Sequence, residues 1–407
     1  MNENGIVIIG AGHAGVQAAA SLREAGFTGP LKLVDNENEH PYHKPPLSKA
    51  YLTGAAADAQ PLRAGVFFEQ NGIERLSGTR VSAIDPTGQL ITLANGRVLP
   101  FGHLILATGS TARRLNVPGS DLHGIYQLRT RADAQILRDA FTGARRAVII
   151  GAGFIGLEFA AVAATRGIET TVIEASDAIL KRALSRPMAE YLHERHRAAG
   201  VTFRFQETVA AFLPAEGGRV GAVRTAAGDD IPADIVLVGI GADAETGLAR
   251  QAGLAVGNGI IVDHQLRTSA KNISAIGDCA LFPHPQAEMP IRLESVQNAT
   301  DQARCLARSL TGSPTSYDAV PWFWSDQGPL KLQIAGLSQG HDRTVLRGDM
   351  ASGRFSVFCF RGDYLVAAES INQAADHMAM RRILKGVRRP SPSQVADAEF
   401  SLKAFAA

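Results

Sequence analysis

The chain contains one ten-residue passage twice, and that duplication constrains its folding more than any other feature. Residues 6–15 read Ile-Val-Ile-Ile-Gly-Ala-Gly-His-Ala-Gly, and residues 147–156 read Ala-Val-Ile-Ile-Gly-Ala-Gly-Phe-Ile-Gly. Each copy opens with branched apolar residues that suit a buried strand, passes through Gly-x-Gly-x-x-Gly, and enters an alanine-rich stretch of helical character, Val16 to Ala25 and Leu157 to Thr165. A second apolar strand ending in an acid follows each, Leu31 to Asp35 and Thr170 to Glu174. Two strand–helix–strand units of this kind predict an α/β protein with two parallel sheets.

The glycine spacing has a physical reason. The first glycine permits the tight strand-to-helix turn, the second lets backbone approach a pyrophosphate, and the third lets helix and strand pack closely. The N–H groups and positive dipole at the helix start favour that anion. One copy alone is a weak signal. Two copies, each with a strand before, a helix after and an acid beyond, predict two dinucleotide sites, at Gly10, Gly12 and Gly15 and at Gly151, Gly153 and Gly156. Glu174 is placed to accept hydrogen bonds from both ribose hydroxyls and to repel a 2′-phosphate, so NADH is expected over NADPH, although Lys181 and Arg182 lie close by. In the first unit the strand-end acid is Asp35, with Asn36 after it.

The remainder continues in the same style. His103 to Gly109, Asp234 to Gly241 and Asn272 to Asp278 read as strands, and Ser295 to Leu310 reads as a helix. Beyond about Pro321 the pattern changes to short strands, at Val345 to Gly348, Phe355 to Phe360 and Tyr364 to Ala368, with turn residues such as Arg361-Gly-Asp363. The Pro/Gly stretch 312–321 marks the expected boundary. A length of 407 residues with 45% hydrophobic and 20% charged residues fits several packed domains and excludes a disordered or fibrous chain. The formal charge of +2 gives no general footprint for nucleic acid. Nothing in the N-terminal sequence resembles a signal peptide, and the apolar stretch 147–164 is interrupted by Glu158 and several glycines, so no membrane span is expected. The three cysteines, Cys279, Cys305 and Cys359, have no metal-ligand spacing, so no metal is expected, and they fit a reducing cytoplasmic setting.

Further motifs identify a family resemblance: Pro45-Pro-Leu-Ser-Lys-Ala-Tyr-Leu52, Leu106-Ala-Thr-Gly109, Tyr126-Gln-Leu-Arg-Thr130, Gly151 to Glu158, Ile276-Gly-Asp-Cys-Ala280, Glu294 to Ala299 and Pro321-Trp-Phe-Trp-Ser-Asp-Gln327. With the first glycine turn, these make the chain similar to the two-dinucleotide-binding flavoproteins of glutathione-reductase architecture, and more narrowly to the NADH-dependent ferredoxin reductases of the putidaredoxin reductase type. The resemblance implies two Rossmann-like dinucleotide-binding domains plus a C-terminal α+β domain. An FAD-binding domain would comprise 1–115 and 246–320, an NADH-binding domain 116–245, and a C-terminal domain at the flavin and ferredoxin interface 321–407. It further implies FAD contacts at the loop glycines, His13, Ala14, Asp35 or Asn36, Pro45, Lys49, Val81, Ala107, Thr108, Gly109, Arg129, Gly277, Asp278, Glu294, Ser295, Val296 and Trp324. NADH contacts would fall at the second glycine turn with Phe154 and Ile155, at Glu174 and Arg182, and at Gly239 and Gly241. Lys49 and Glu158 are expected as an ion pair beside the flavin, where a cation favours the reduced anionic ring.

Disulfide reductases of this architecture carry two cysteines after the first unit, whereas this chain reads Pro45-Pro-Leu-Ser-Lys49 there and has no thiol before residue 279. The electrons are therefore expected to pass from flavin to an external one-electron acceptor. That acceptor is expected to be an acidic [2Fe–2S] ferredoxin serving a haem-thiolate monooxygenase or a ring-hydroxylating dioxygenase. From Lys331 to Arg389 there are 10 basic residues against 5 acidic, a net of +5 that would steer such a partner. Trp322 and Trp324 alternate in an extended segment, so both face one side, with Trp324 expected to be the exposed one. Two other readings stand at this point: a rubredoxin reductase, and a redox or interaction flavoprotein resembling apoptosis-inducing factor.

Overall fold

A computed structural model describes residues 4–406. Its contacts gather the chain into two units: one of residues up to 43, 60–111 and 243–321, the other of residues 44–59, 112–242 and from 322 onward.

In the first unit, the branched run Ile6–Ile9 is the central strand of a five-stranded parallel sheet, in the order Ile273–Ala275, His103–Leu106, Ile6–Ile9, Leu31–Val34, Ile73–Leu76. All four residues of the central strand are buried, as expected when helices cover both faces of a parallel sheet. The helix His13–Glu24 follows directly and begins inside the glycine motif, three residues earlier than the alanine-rich run suggests. Helix Val296–Leu310, capped by the Ser295 hydroxyl accepting from the Asn298 N–H, belongs to the same unit. An antiparallel meander, Val81–Asp85, Leu90–Leu93 and Val98–Pro100, fills out the unit; the sequence reading did not distinguish it.

The second unit repeats the plan. Strand Arg146–Ile150 is central in the parallel order Val201–Phe205, Glu169–Glu174, Arg146–Ile150, Ile235–Val238, Ile125–Tyr126. Helix Phe154–Thr165 again starts within the glycine motif. The same unit holds a five-stranded antiparallel sheet in the order Trp322–Gln327, Leu330–Gly336, Tyr364–Ile371, Arg354–Arg361, Arg343–Asp349, followed by helix Ala374–Ile383. The later three strands are those expected from the sequence, lengthened at their ends. Of the first two, Trp322–Gln327 was legible only as an aromatic segment, and Leu330–Gly336 was not distinguished in the sequence. Among the described residues, no helix is long and apolar enough to cross a membrane.

Candidate functional site

The two glycine turns have nearly the same geometry. Gly10 and Gly151 adopt φ of +103° and +98°, a conformation costly for any other residue, and a Cβ on either would run into the neighbouring strand end at Ala107 or Gly239. A Cβ on Gly15 or Gly156 would collide with the carbonyl of Gly10 or Gly151, which enforces the close helix–strand approach. The middle glycine of the first turn differs: a Cβ on Gly12 would meet nothing within 4 Å. Protein packing therefore does not demand glycine there, and the open side fits close approach of a ligand. Neither helix carries a side-chain cap, because Gly12 and Gly153 are the N-cap residues, so the first-turn N–H groups face no capping oxygen.

Each strand-end acid turns back to its own glycine motif. Asp35 Oδ1 accepts from the Ala11 N–H at 3.3 Å, and Glu174 Oε2 accepts from the Ala152 N–H at 2.7 Å. The equivalence places Asp35, rather than the exposed Asn36, in the position that corresponds to Glu174. Glu174 Oε1 also accepts from the Ser176 N–H at 2.8 Å, so each of its oxygens keeps a lone pair for an incoming hydroxyl. Lys181 is paired with Asp177 at 2.8 Å, and Arg182 is exposed.

The residues expected at the flavin divide between the units. In the first, Ala107, Thr108 and Gly109 leave the strand His103–Leu106, and the Thr108 hydroxyl donates to the Glu245 carbonyl at 2.7 Å. Gly277 approaches Ala14 so closely that a Cβ would meet the Ala14 Cβ at 2.9 Å, and the Gly277 N–H donates to the side chain of Gln302 at 2.7 Å. Asp278 accepts from the Ser110 hydroxyl at 3.1 Å. Val81 begins its strand, Val296 begins its helix beside Ser295, and Glu294 is paired with Arg292 at 2.5 Å. His13, the first residue of its helix, packs edge-on against His43 with ring centroids 5.4 Å apart.

In the second unit, Pro45–Ser48 is a 3₁₀ turn that delivers Lys49. Lys49 Nζ lies 2.7 Å from Glu158 Oε2, with the lysine side chain 18% exposed and the glutamate 2%. Glu158 is a charged group on an otherwise apolar helix, and it is satisfied by three donors. The Ser48 hydroxyl donates to Oε2 beside Lys49, and the Ser325 hydroxyl donates to Oε1 at 2.5 Å. The Arg129 and Thr130 N–H groups donate to Asp133 Oδ2 at 3.0 and 2.8 Å in the capping box of helix Arg131–Ala140. Phe154 packs against Phe323 at 4.6 Å, Ile155 is 41% exposed, and Gly239 and Gly241 follow the strand Ile235–Val238. Trp322 and Trp324 share a face, with ring centroids 5.7 Å apart, but both are half-buried, so exposure does not single out Trp324 as expected.

All three thiols are free and buried, at 2% exposure or less. Burial raises the Cys279 and Cys359 thiols above the usual range, which disfavours the nucleophilic thiolate. Among the described residues, no group of His, Cys, Asp and Glu is arranged to hold a metal ion.

Sequence reasoning missed four participants. Ser48 and Ser325 bond Glu158 directly, and Gln327 and His196 extend the network behind Ser325. A fifth polar group, Glu369, is fully buried in strand Tyr364–Ile371 and accepts from the Ser185 N–H at 2.8 Å and its hydroxyl at 2.6 Å, while burial raises its carboxyl above the usual range. The available signal was a polar residue on the inward side of each strand, Ser325 and Gln327 in one and Glu369 in the other.

Residues 4–303 match the family model described as pyridine nucleotide-disulphide oxidoreductase, and residues 322–406 match the one described as reductase C-terminal. The chain is 48% identical over 399 residues to rhodocoxin reductase of Rhodococcus erythropolis, covering 98% of this chain and 93% of that protein. The crystal structure of the ferredoxin reductase for the CYP199A2 system from Rhodopseudomonas palustris superimposes with a TM-score of 0.97 at 45% identity, over the full length of both chains. The reductase in the crystal structure of a covalent putidaredoxin reductase–putidaredoxin complex gives a TM-score of 0.95 at 37% identity, covering 98% and 97% of the two chains.

Proposed function

The chain belongs to the pyridine nucleotide-disulphide oxidoreductase family, and from that premise we propose that it is an FAD-dependent reductase. In this reading it passes electrons from NADH to a [2Fe–2S] ferredoxin of an oxygenase system. The observation that carries this reading beyond the family name is the state of the thiols: all three are buried, and the segment Pro45–Lys49 offers a lysine and no sulfur. A dithiol relay is therefore absent from the described residues. FAD, when bound, supplies the exchange between a two-electron donor and a one-electron acceptor.

The protein's own residues hold and orient. The turn at Gly10, Gly12 and Gly15 and the uncapped start of helix His13–Glu24 present N–H groups to a pyrophosphate, with Asp35 taking the ribose. The turn at Gly151, Gly153 and Gly156 does the same for NADH, with Glu174 reading its ribose. Lys49, fixed by Glu158, supplies the cation that acts on the flavin ring. Asp278, Val296, Val81 and Arg129 complete the flavin contacts, and Arg182, Gly239 and Gly241 those of NADH. The soluble partner is an acidic ferredoxin drawn by the basic C-terminal region, in the cytoplasm.

The test is steady-state NADH oxidation with purified acidic [2Fe–2S] ferredoxins and a rubredoxin, alongside stopped-flow reduction of the flavin. Turnover supported by a ferredoxin, and flavin reduction slowed at least tenfold in Lys49→Met, are the expected results. A protein that retains no FAD, or that turns over only with rubredoxin, overturns the reading. Slow NADH turnover with every acceptor and a long-lived charge-transfer complex would mark an interaction flavoprotein instead.

A further inference from the structure

Behind the Lys49–Glu158 pair runs a buried chain of side chains whose polarity is fixed by its first member. Ser48, Glu158, Ser325, Gln327 and His196 are each at most 4% exposed. An ionised carboxylate only accepts, so Ser325 must give its single hydroxyl proton to Glu158 Oε1 at 2.5 Å. The Ser325 oxygen then accepts from Gln327 Nε2 at 2.8 Å. That orientation turns Gln327 Oε1 toward His196 Nε2 at 2.9 Å and requires the imidazole proton to sit on Nε2. Every donor along the path points toward Glu158. Burial holds His196 below the ordinary imidazole range, so the neutral tautomer completes the chain at neutral pH.

The participants come from separate elements: Glu158 from helix Phe154–Thr165, Ser325 and Gln327 from strand Trp322–Gln327, His196 from helix Arg186–Ala198. A buried serine and glutamine at alternate positions on an inward strand face are costly unless fully bonded. Among the described residues, their side-chain bonds lead to Glu158 on one side and to His196 on the other. We propose that Ser325, Gln327 and His196 are positioning residues that orient the Glu158 carboxylate, and through it the Lys49 ammonium, for flavin reduction. The proposal rests on the reading of Lys49 as the cation that acts on the flavin.

The test has two readouts. The first needs no flavin: nitrogen-15 NMR of histidine-labelled protein, with the His196 signal assigned by its loss in His196→Leu. A neutral Nε2–H imidazole with a slowly exchanging proton is expected at pH 7, and faster exchange in Gln327→Met. An Nδ1–H tautomer or a charged ring overturns the chain as drawn. The second is anaerobic stopped-flow reduction of the FAD-loaded protein by NADH. Gln327→Met should lower the limiting rate about three- to tenfold, the loss of a neutral hydrogen bond, and Ser325→Ala by more than about tenfold, the loss of a bond to the charged carboxylate, both with half-saturation by NADH unchanged. The double variant should be no slower than the slower single one, because Gln327 acts only through Ser325. His196→Leu should reproduce Gln327→Met, and His196→Gln, which keeps an N–H donor, should return to within about twofold of the wild type. Wild-type rates in all variants, multiplied losses in the double variant, or no rescue by glutamine each overturn the proposal. If Gln327→Met fails to fold, the His196 pair decides alone. A wild-type protein that is not reduced by NADH refutes the functional reading instead, while the NMR result still judges the chain.

Discussion

At Glu174, one lone pair of each carboxylate oxygen is committed to the backbone, to Ala152 on one side and Ser176 on the other. The side chain is therefore held in place by the backbone, and in the proposed reading its charge stands where a 2′-phosphate would have to sit. Glu174→Gln keeps the size and removes that charge. The kcat/KM for NADH should fall about tenfold, in line with loss of a charged hydrogen bond, and the NADH:NADPH ratio should narrow. An unchanged ratio would mean that selectivity lies elsewhere. The strand-end position of Glu174 was legible in the sequence, from an acid that closes an apolar run beyond a glycine turn, and its ribose role is part of the proposed reading. The choice between Asp35 and Asn36 was not legible, since it depends on which side chain the strand end turns back toward the Ala11 N–H.

Among the elements, the strand Trp322–Gln327 shows how alternation can be read correctly and still be half understood. Its tryptophans announced one face. The other face carries Phe323 against Phe154, then Ser325 and Gln327, small and polar residues that look like solvent-facing positions until their partners on other helices are known. Pairings of that range are set by tertiary structure, and no local pattern encodes them. Helix Arg131–Ala140 is held instead by a local pairing, the capping box of Thr130 and Asp133, which the sequence reading did not single out. Its Asp133 carboxylate also fixes the Arg129 N–H, in the segment assigned to flavin binding. Asp133→Ala should cost about 1 kcal/mol of stability and speed the loss of FAD on dilution. Thermal melting and a flavin-release assay check both, and a loss of stability with unaltered flavin release would confine Asp133 to the helix.

Over the whole molecule, charge needs sorting by what each residue already holds. The +5 of the C-terminal region includes cations that serve the fold. Arg347 donates to the carbonyls of Val395, Asp397, Ala398 and Phe400, Arg389 to those of Ile383, Gly386 and Leu384, and Lys331 is paired with Asp326. In the proposed reading, attraction of an acidic partner falls chiefly to the exposed Arg354, Arg382 and Lys385, and to Arg388, which is exposed while its guanidinium lies over the Phe405 ring. Arg388→Glu with Lys385→Glu should lower kcat/KM for an acidic ferredoxin several-fold at low salt and flatten its salt dependence, leaving kcat unchanged. Arg347→Met should instead lower the melting temperature and leave the salt slope intact. The two-sheet plan and the separate C-terminal sheet were legible from the repeat and the change of pattern after Pro321; the division of labour among arginines was not, because carbonyl partners leave no mark on composition. The one-way hydrogen-bond path from His196 to Glu158 also bears on protein engineering. In a chimera that borrows another reductase's C-terminal segment, a graft that replaces Ser325 or Gln327 breaks the path to Glu158 unless the histidine on helix Arg186–Ala198 is exchanged with it as a matched set.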